Sequence, residues 1–282
     1  MPGTLYVVAT PIGNLEDVTL RALRVLGEVS LIAAEDTRRT ARLLQHYSIS
    51  TRTTSLHEHN ERTKTATLLA RLSAGESIAL VSDAGTPVIS DPGAHLVAEA
   101  HRAGIPVQPV PGPSAALAAL SASGLARQEF LFVGFPPSRS KARHSWLAKL
   151  ADEPRVLILY EAPHRIRPTL EDMLQVFGDR VVALARELTK AHEQLVVRPI
   201  SQHLASELEE RGEFTLVVEA GSPQGLITIE RPTPGQMADE FGQITNNEAM
   251  TRREAIRILA RRHQLSNRDV FQLIERAKKS IE

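Results

Sequence analysis

The sequence predicts an α/β protein built from two α/β domains and a small C-terminal helical extension. Three observations support this prediction. Short runs of β-branched residues alternate with longer segments of helical period. Glycine and proline cluster directly after these predicted strands, where turns belong. Beyond residue 221 the alternation stops, and a segment rich in Gly, Pro and Thr is followed only by helical spacing.

The first predicted domain covers residues 1–113. Strands are predicted at residues 5–9, 30–34 and 78–81, and helices at 19–26 and 63–72. Strands that alternate with helices in this way form largely parallel sheets, whose ligand loops lie at the carboxyl ends of the strands. We therefore expect the functional site in the loops that follow these strands.

The second predicted domain covers residues 114–221 and follows the segment Pro-Gly-Pro-Ser at 111–114. A helix is predicted at residues 114–120, and strands at 130–133, 156–160, 181–184 and 214–219. Residues 222–282 are predicted to form a linker and a helical extension, with helices near 251–259 and 267–278.

Composition limits the class of protein without naming a function. The 282 residues are 42% hydrophobic and 23% charged, and the formal net charge is zero. There is no cysteine, which excludes disulfides and thiolate metal sites, and no apolar run approaches the roughly 18 residues of a membrane span. We expect a cytoplasmic, soluble protein whose nucleic-acid partner, if it has one, binds a local basic surface.

The segment from Ser82 to Gly93, SDAGTPVISDPG, is the most informative loop. It directly follows a hydrophobic strand and contains two aspartates, two prolines and several small residues. Such a loop offers carboxylates and backbone groups to a small cationic or zwitterionic ligand, although a plain irregular connection has similar composition. Residues 10–15, TPIGNL, lie after the first strand and suit either a ligand loop or a turn. Neither segment matches a conventional dinucleotide or Walker motif.

Charged clusters follow other predicted strands. Residues 34–40, AEDTRRT, have two possible interpretations: at least one of their charged side chains has a functional role, or the segment is simply the start of a helix capped by Asp36 or Thr37. His57 and His59 stand close together, but no third ligand is marked, so we predict no metal site. Residues 160–165 and 185–190 suggest a second wall of a cleft, while an ordinary surface ion pair between Glu187 and Lys190 explains part of the pattern equally well.

The C-terminal extension is locally basic in an otherwise neutral chain. Arg253, Arg257 and Arg261 belong to a group of arginines and lysines that outnumbers the nearby acids. A solvated helix face is the ordinary explanation of such a run, and a phosphate-binding surface is the functional one. We assign RNA contacts to these three arginines and, near the predicted cleft, to Arg38, Arg39 and Arg165.

Several of these segments occur together in one family. Taken in order, LYVVATPIGNLEDVTLRAL, AEDTRRT, LHEHNE, LVSDAGTPVISDPG, VPGPSAA, YEAPHRI and ARELTK resemble the ribosomal RNA small subunit methyltransferase I family from about residue 4 to the end of the second domain. The resemblance implies the tetrapyrrole-methylase fold and a homodimer that binds S-adenosylmethionine between its two domains. The implied reaction is 2′-O-methylation of a cytidine near the decoding centre, in small-subunit ribosomal RNA or the 30S subunit.

The resemblance also suggests roles for individual residues. The residues matched to the family's cofactor loops are Pro11, Gly13, Asp83, Ala84, Gly85, Val88, Ile89, Ser114, Ala115, Tyr160, Glu161 and Arg186. For catalysis we consider Glu187 with Lys190, or Asp83, because a ribose hydroxyl needs a positioned base or a charge that favours its alkoxide. The alternatives are a methylase of the same fold that acts on a tetrapyrrole or a protein, and a non-catalytic RNA-binding module.

Overall fold

The structure is a computed structural model that describes residues 1–221, 233–247, 251–262 and 267–279. These residues fall into two compact units, Met1–Gly221 and Ser222–Glu282. Most of the predicted linker, residues 222–232, lies outside the described residues. No helix among the described residues has the length and apolar character needed to cross a membrane.

The first sheet has five parallel strands in the order β3-β2-β4-β1-β5. Its strands are β1 (Leu5–Val8), β2 (Leu31–Ala34), β3 (Thr53–Ser55), β4 (Ile78–Val81) and β5 (Val107–Val110). They are connected through α1 (Leu20–Glu28), α2 (Thr37–His46), α3 (Glu61–Ser73) and α4 (Ala94–Arg102). Every residue of β2 and β4 is buried, as expected for central strands covered on both faces. The predicted parallel α/β architecture is confirmed.

The second sheet also has five strands, in the order β6-β7-β10-β8-β9, but it is mixed. Its strands are β6 (Phe130–Gly134), β7 (Val156–Glu161), β8 (Val181–Arg186), β9 (Gln194–Pro199) and β10 (Phe214–Val218). Only β6 and β7 pair in parallel, while β10 runs antiparallel to β7 and β8, and β9 runs antiparallel to β8. The helices are α5 (Ala115–Ala122), α6 (Ser140–Ala148), α7 (Ile166–Phe177) and α8 (Ile200–Ala205).

Helix α5 packs on the second sheet although it directly follows the first. Ala116, Ala119 and Leu120 share a core with residues of β7, β8 and β10. Both sheets nevertheless lie within one compact unit, so the division into domains after residue 113 stays a prediction.

The second unit contains three described helices, α9 (Pro234–Asn247), α10 (Arg252–Arg262) and α11 (Asn267–Lys279). Met237, Leu259, Val270 and Ile274 are buried together in its core, because apolar residues recur at helical spacing along each helix. Arg253 and Arg257 are exposed on α10, whereas the side chain of Arg261 lies outside the described residues.

Candidate active site

A cavity of about 370 Å³ opens where the loops of the two sheets meet. The loops of the first sheet contribute one wall, and the ends of β6, β7 and β10 with the loop after β8 contribute the other. The lining residues are Ile12, Glu35, Arg39, Asp83, Ala84, Gly85, Thr86, Ile89, Ser90, Asp91, Ser114, Ala115, Phe135, Tyr160, Glu161, Ala162, Pro163, Leu188, Glu213, Phe214 and Thr215. Its volume lies in the range of small-molecule sites, about 300–1,000 Å³.

The loop from Ser82 to Gly93 has an unusual backbone. Val88 and Ser90 have φ values of 76° and 64°. For a β-branched residue such as Val88 this left-handed conformation is strained, by about 1–3 kcal/mol. The loop is held in place by Gly85, whose N–H and C=O each bond to the backbone of Thr10 at 2.9 Å. Strain of this kind accumulates at binding sites, which supports a functional interpretation of the loop over a plain connection.

Five acidic side chains line the cavity, and the three on the loops of the first sheet give that wall a negative character. These three are Glu35, Asp83 and Asp91, and Arg39 is the only Lys or Arg among the described lining residues. Burial raises the pKa of Asp91 to about 6, and the negative charges of Glu35 and Asp83 add to the effect. Burial also raises the pKa of Glu35. A guanidinium nitrogen of Arg39 lies 3.5 Å from a carboxylate oxygen of Asp83. This arrangement favours a ligand that carries positive charge.

Most of the residues predicted to bind the cofactor lie on the cavity wall. They are Asp83, Ala84, Gly85, Ile89, Ser114, Ala115, Tyr160 and Glu161. The carboxylate of Glu161 is buried and already occupied, because it accepts hydrogen bonds from Thr169 Oγ1 at 2.6 Å and from the N–H of Ala162 at 2.7 Å. We therefore expect Glu161 to shape the wall and not to neutralise a ligand.

Four other predicted residues do not line the cavity. Pro11 and Gly13 lie in the loop beside it, and Val88 packs against the apolar core of the first sheet. Arg186 is directed elsewhere: its guanidinium lies 2.8 Å from Glu209 and donates to the C=O of Arg211 at 2.7 Å. Cofactor contacts by these four residues stay predictions.

The predicted catalytic pair forms an ion pair next to the cavity. Lys190 Nζ lies 2.8 Å from Glu187 Oε1 and 3.1 Å from Glu213 Oε2, and Glu213 lines the cavity. Burial opposes the ionised form of Glu187, but hydrogen bonds from Lys190 and from the N–H of Glu213 outweigh it and lower the Glu187 pKa. For Lys190 burial is likewise outweighed, and the two glutamates raise its pKa. Lys190 is therefore a persistent cation.

This pair is joined to the first sheet through the loop TPIGNL. The N–H of Asn14 donates to Thr189 Oγ1 at 3.0 Å, and a Cβ atom built on Gly13 would lie only 2.5 Å from Lys190 Cγ. Glu187 and Thr189 both have positive φ, at 51° and 66°. Glycine at position 13 thus permits the close approach of the two loops.

The arginines assigned to RNA differ in their surroundings. Arg38 and Arg39 are exposed at the start of α2, where Asp36 caps the helix by accepting from the N–H of Arg38 at 2.8 Å. The side-chain hydrogen bond from Arg38 holds the Asp36 pKa well below its usual range. The helix-capping alternative is therefore realised, and it leaves both arginine side chains accessible. Arg165, in contrast, is mostly enclosed and pairs with Glu161 at 3.0 Å.

His57 and His59 belong to a polar turn. The side-chain oxygen of Asn60 accepts from the N–H of His57 at 2.9 Å, and its amide nitrogen lies 3.1 Å from His57 Nε2. In the part of the chain that the structure describes, no group of three or more His, Asp or Glu side chains is placed to hold a metal ion.

Sequence reasoning did not assign several lining residues. Glu35 and Asp91 lie in the motifs AEDTRRT and SDAGTPVISDPG, but the sequence does not show which carboxylates of these motifs face the cavity. Phe135 was missed altogether, although Gly134, Pro136 and Pro137 around it give the same glycine and proline signal after a strand that marked the other loops. Glu213 lies in a segment without a motif, and only the pairing of β10 between β7 and β8 brings it to the site.

The fold and the cavity together define a methylase of the tetrapyrrole class. The family of Tetrapyrrole (Corrin/Porphyrin) Methylases matches residues 4–203. Among solved structures, uroporphyrin-III-C-methyltransferase from Thermus thermophilus shares the fold with a TM-score of 0.55 and 23% identity, covering 79% of this chain and 96% of that chain. Diphthine synthase shares it with a TM-score of 0.58 and 15% identity, covering 77% and 90%. At these identities the likeness establishes the fold alone.

Closer relatives establish the family. The ribosomal RNA small subunit methyltransferase I of Escherichia coli O157:H7 is 53% identical over 227 residues, which are 79% of each chain. The protein of the same name from Synechocystis is 47% identical over 276 residues, covering 96% of this chain and 97% of the relative. The chain therefore belongs to the ribosomal RNA small subunit methyltransferase I family, as its motifs predicted. It is a methyltransferase that uses S-adenosylmethionine.

Proposed function

We propose that this chain methylates the 2′-hydroxyl of a cytidine in small-subunit ribosomal RNA, near the decoding centre, with S-adenosylmethionine as methyl donor. The observation that carries the proposal is the carboxylate-lined cavity formed by the family's own motifs. The proposal that the substrate is small-subunit ribosomal RNA rests on the name of the relatives. The proposal that the methylated group is the ribose of a cytidine rests on the motif resemblance.

The residues present at the cavity fit S-adenosylmethionine. This donor carries a sulfonium and an ammonium group, and Glu35, Asp83 and Asp91 face the cavity with Arg39 as the one lining Lys or Arg in the described chain. The strained loop around Gly85 and Val88, held by Thr10, offers a fixed backbone surface. We assign cofactor binding to this loop, to Ser114 and Ala115 at the start of α5, and to Tyr160.

When bound, S-adenosylmethionine supplies a methyl carbon activated for in-line displacement by an oxygen nucleophile. The contribution of the chain is to align the ribose hydroxyl with that carbon and to exclude water. The hydroxyl oxygen gains negative character only as its proton leaves. A fixed positive charge near that oxygen therefore lowers the barrier.

Lys190 fits the role of this positive charge. Its raised pKa keeps it protonated, so it stabilises an alkoxide and does not accept the proton. Glu187, whose pKa is lowered, is a weak base and serves to orient Lys190. Asp83, on the cavity wall, is the candidate to accept the proton.

RNA contacts are proposed for Arg38 and Arg39 beside the cavity and, in the second unit, for Arg253 and Arg257 on α10. Between residues 251 and 279 the chain carries nine Lys and Arg against three acids, which is a strong local excess in a neutral protein. Further contacts by Arg165 and Arg261 are part of the same proposal. We also propose a cytoplasmic homodimer, which light scattering coupled to size-exclusion chromatography tests.

The decisive experiment is mass spectrometry of small-subunit rRNA from cells that lack this protein. We expect one ribose methyl group to disappear from a cytidine and to return on complementation. Intact methylation in the deletion strain would refute the substrate assignment. Incubation of the purified protein with labelled cofactor and either ribosomal subunits or a tetrapyrrole then distinguishes the rival substrates.

The catalytic assignment needs its own test. We expect Lys190→Ala and Glu187→Gln to slow methyl transfer while the S-adenosylmethionine Kd stays nearly unchanged, because Lys190 acts on the hydroxyl, Glu187 orients Lys190, and neither is assigned to the cofactor. Lys149→Ala is the matched control, since Lys149 is exposed and does not line the cavity. Wild-type rates in both variants would remove the ion pair from the mechanism.

A further inference from the structure

Phe135 presents an exposed aromatic ring at the cavity. Its side chain is 54% exposed although it lines the site, and Ile89 on the opposite wall is 46% exposed. These are the two large apolar side chains of the wall that are exposed to this degree. The mouth of a cavity lined by carboxylates thus carries apolar surface that the described residues leave exposed.

The backbone holds Phe135 firmly in this position. Strand β6 changes register between Phe132 and Gly134, and Gly134 has a φ of 68°. An irregularity of this kind redirects the following side chain. Pro136 and Pro137 then restrict the backbone on the other side of the ring.

Two enclosed arginines bind the carbonyl groups of the same loop. Arg165 donates to the C=O of Pro136 at 2.5 Å, and Arg143 donates to the C=O of Ser138 at 3.2 Å. Each arginine is itself fixed by a carboxylate: Arg143 lies 2.7 Å from Asp172, and Arg165 lies 3.0 Å from Glu161. These hydrogen bonds hold the backbone of the loop that carries the exposed Phe135 ring.

The Phe135 ring has one aromatic neighbour among the described residues. Its centroid lies 5.5 Å from that of Tyr160 with an interplanar angle of 57°, and Tyr160 in turn packs edge-on against Phe132 at 5.0 Å. Because the Phe135 side chain is still 54% exposed, much of its surface is accessible to a flat partner. Stacking on an aromatic ring is the ordinary way in which proteins bind an unpaired base, and every base has the planar surface that it requires.

We infer that Phe135 stacks on an unpaired base of the RNA substrate, at or beside the nucleotide whose 2′-hydroxyl enters the cavity. This inference rests on the proposed function and deepens it by naming a residue that positions the substrate. It also gives a role to the two arginine–carboxylate pairs that support this short exposed loop. Positioning of this kind brings the ribose to the methyl donor and leaves the donor's own binding unaffected.

Steady-state kinetics on 30S subunits test the inference. Base stacking measured by alanine substitution predicts that Phe135→Ala raises KM for the RNA substrate about 10- to 100-fold. The S-adenosylmethionine Kd, measured by calorimetry, should change less than about twofold, and Phe135→Tyr should restore most of the RNA affinity. Phe130→Ala is the matched control, because Phe130 is 40% exposed at the start of the same strand and does not line the cavity.

A fluorescence experiment reports the stacking directly. The chain has a single tryptophan, Trp146, so Phe135→Trp in a Trp146→Phe background places the only indole at the site. A short single-stranded RNA that carries the target nucleotide should quench this indole, whereas S-adenosylmethionine alone should not. Quenching by the cofactor alone, with a matching loss of cofactor affinity in Phe135→Ala, would assign the ring to the adenine and overturn the inference.

The kinetic outcomes separate this inference from the proposed function. An unchanged KM in Phe135→Ala, measured beside a wild-type enzyme that methylates the 30S subunit, refutes the stacking role and leaves the function intact. A wild-type enzyme that methylates no form of the small-subunit RNA refutes the proposed function, and the stacking role falls with it.

Discussion

Substitution of Asp91 by asparagine should stabilise the free protein near neutral pH. Burial raises the pKa of this carboxyl from 3.8 to about 6, with Glu35 and Asp83 contributing repulsion. The folded protein therefore resists ionisation of Asp91, which an unfolded chain permits freely. Asparagine keeps the shape of the side chain without the charge, so it removes this penalty.

The magnitude follows from the separation of the two pKa values. At about 1.36 kcal/mol per pKa unit, the free-energy penalty for ionising Asp91 in the folded protein is about 3 kcal/mol. Residual contact of the side chain with solvent reduces this penalty to about 1–2 kcal/mol. Well below pH 3.8 the carboxyl is protonated in both folded and unfolded chains, so the wild-type protein carries no penalty there. Stability is lost as the pH rises from about 4 to about 6, because the unfolded chain ionises first, and the full difference from Asp91→Asn is present at pH 7.5.

Thermal unfolding at several pH values measures the effect. For a compact unit of 221 residues, each kcal/mol corresponds to about 2–4 °C, so Asp91→Asn should melt about 2–8 °C above wild type at pH 7.5 and close to wild type at about pH 3. The same variant should bind S-adenosylmethionine more weakly, because one of the three carboxylates on the first-sheet wall of the cavity loses its charge.

Asp179→Asn is a control of opposite sign. Hydrogen bonds from Ser201, at 2.6 and 2.7 Å, lower the pKa of this exposed carboxyl. Its stabilising contribution is present above the ordinary pKa and disappears as the pH falls, so Asp179→Asn should destabilise the protein at pH 7.5. An Asp91→Asn protein that melts at or below wild type at pH 7.5 would show that desolvation does not dominate at Asp91.

Three further predictions concern the fold and the RNA surface. Gly13→Ala should destabilise the protein by about 1–3 kcal/mol in urea and slow methylation, because its Cβ would lie 2.5 Å from Lys190 Cγ; equal stability would mean that the loops separate freely. Asp172→Asn should cost about 3–5 kcal/mol in urea denaturation, since it leaves the Arg143 guanidinium buried without its counter-charge; a loss under about 1 kcal/mol contradicts this. Charge reversal at Arg253 and Arg257 should lower the slope of log affinity against log salt by roughly 0.7–0.9 per lost phosphate contact; an unchanged slope removes α10 from the RNA surface.

The sequence was sufficient to predict the parallel first sheet and the loops that surround the cavity. Strands such as residues 78–81 are continuous apolar runs flanked by glycine and proline, and a central parallel strand needs that pattern because both of its faces are buried. The strands β3 and β9 were not predicted. Thr53–Ser55 is short and polar, and Gln194–Pro199 lies at the edge of its sheet with a mixed pattern. Edge strands that are short or polar, as these two are, bury too little apolar surface to leave a clear signal.

Local sequence patterns were enough to predict the α/β class and the segments that surround the cavity, because turn chemistry and apolar periodicity are local properties of the chain. The motif resemblance pointed to the family. Which side chains face the cavity depends on the folded arrangement. Asp91 and Phe135 line it, whereas Arg186, which follows the same kind of strand signal, pairs with Glu209 away from it. The direction of a side chain at a strand end depends on register, on bulges such as the one at Gly134 and on partners distant in sequence, and none of these is encoded in a local motif.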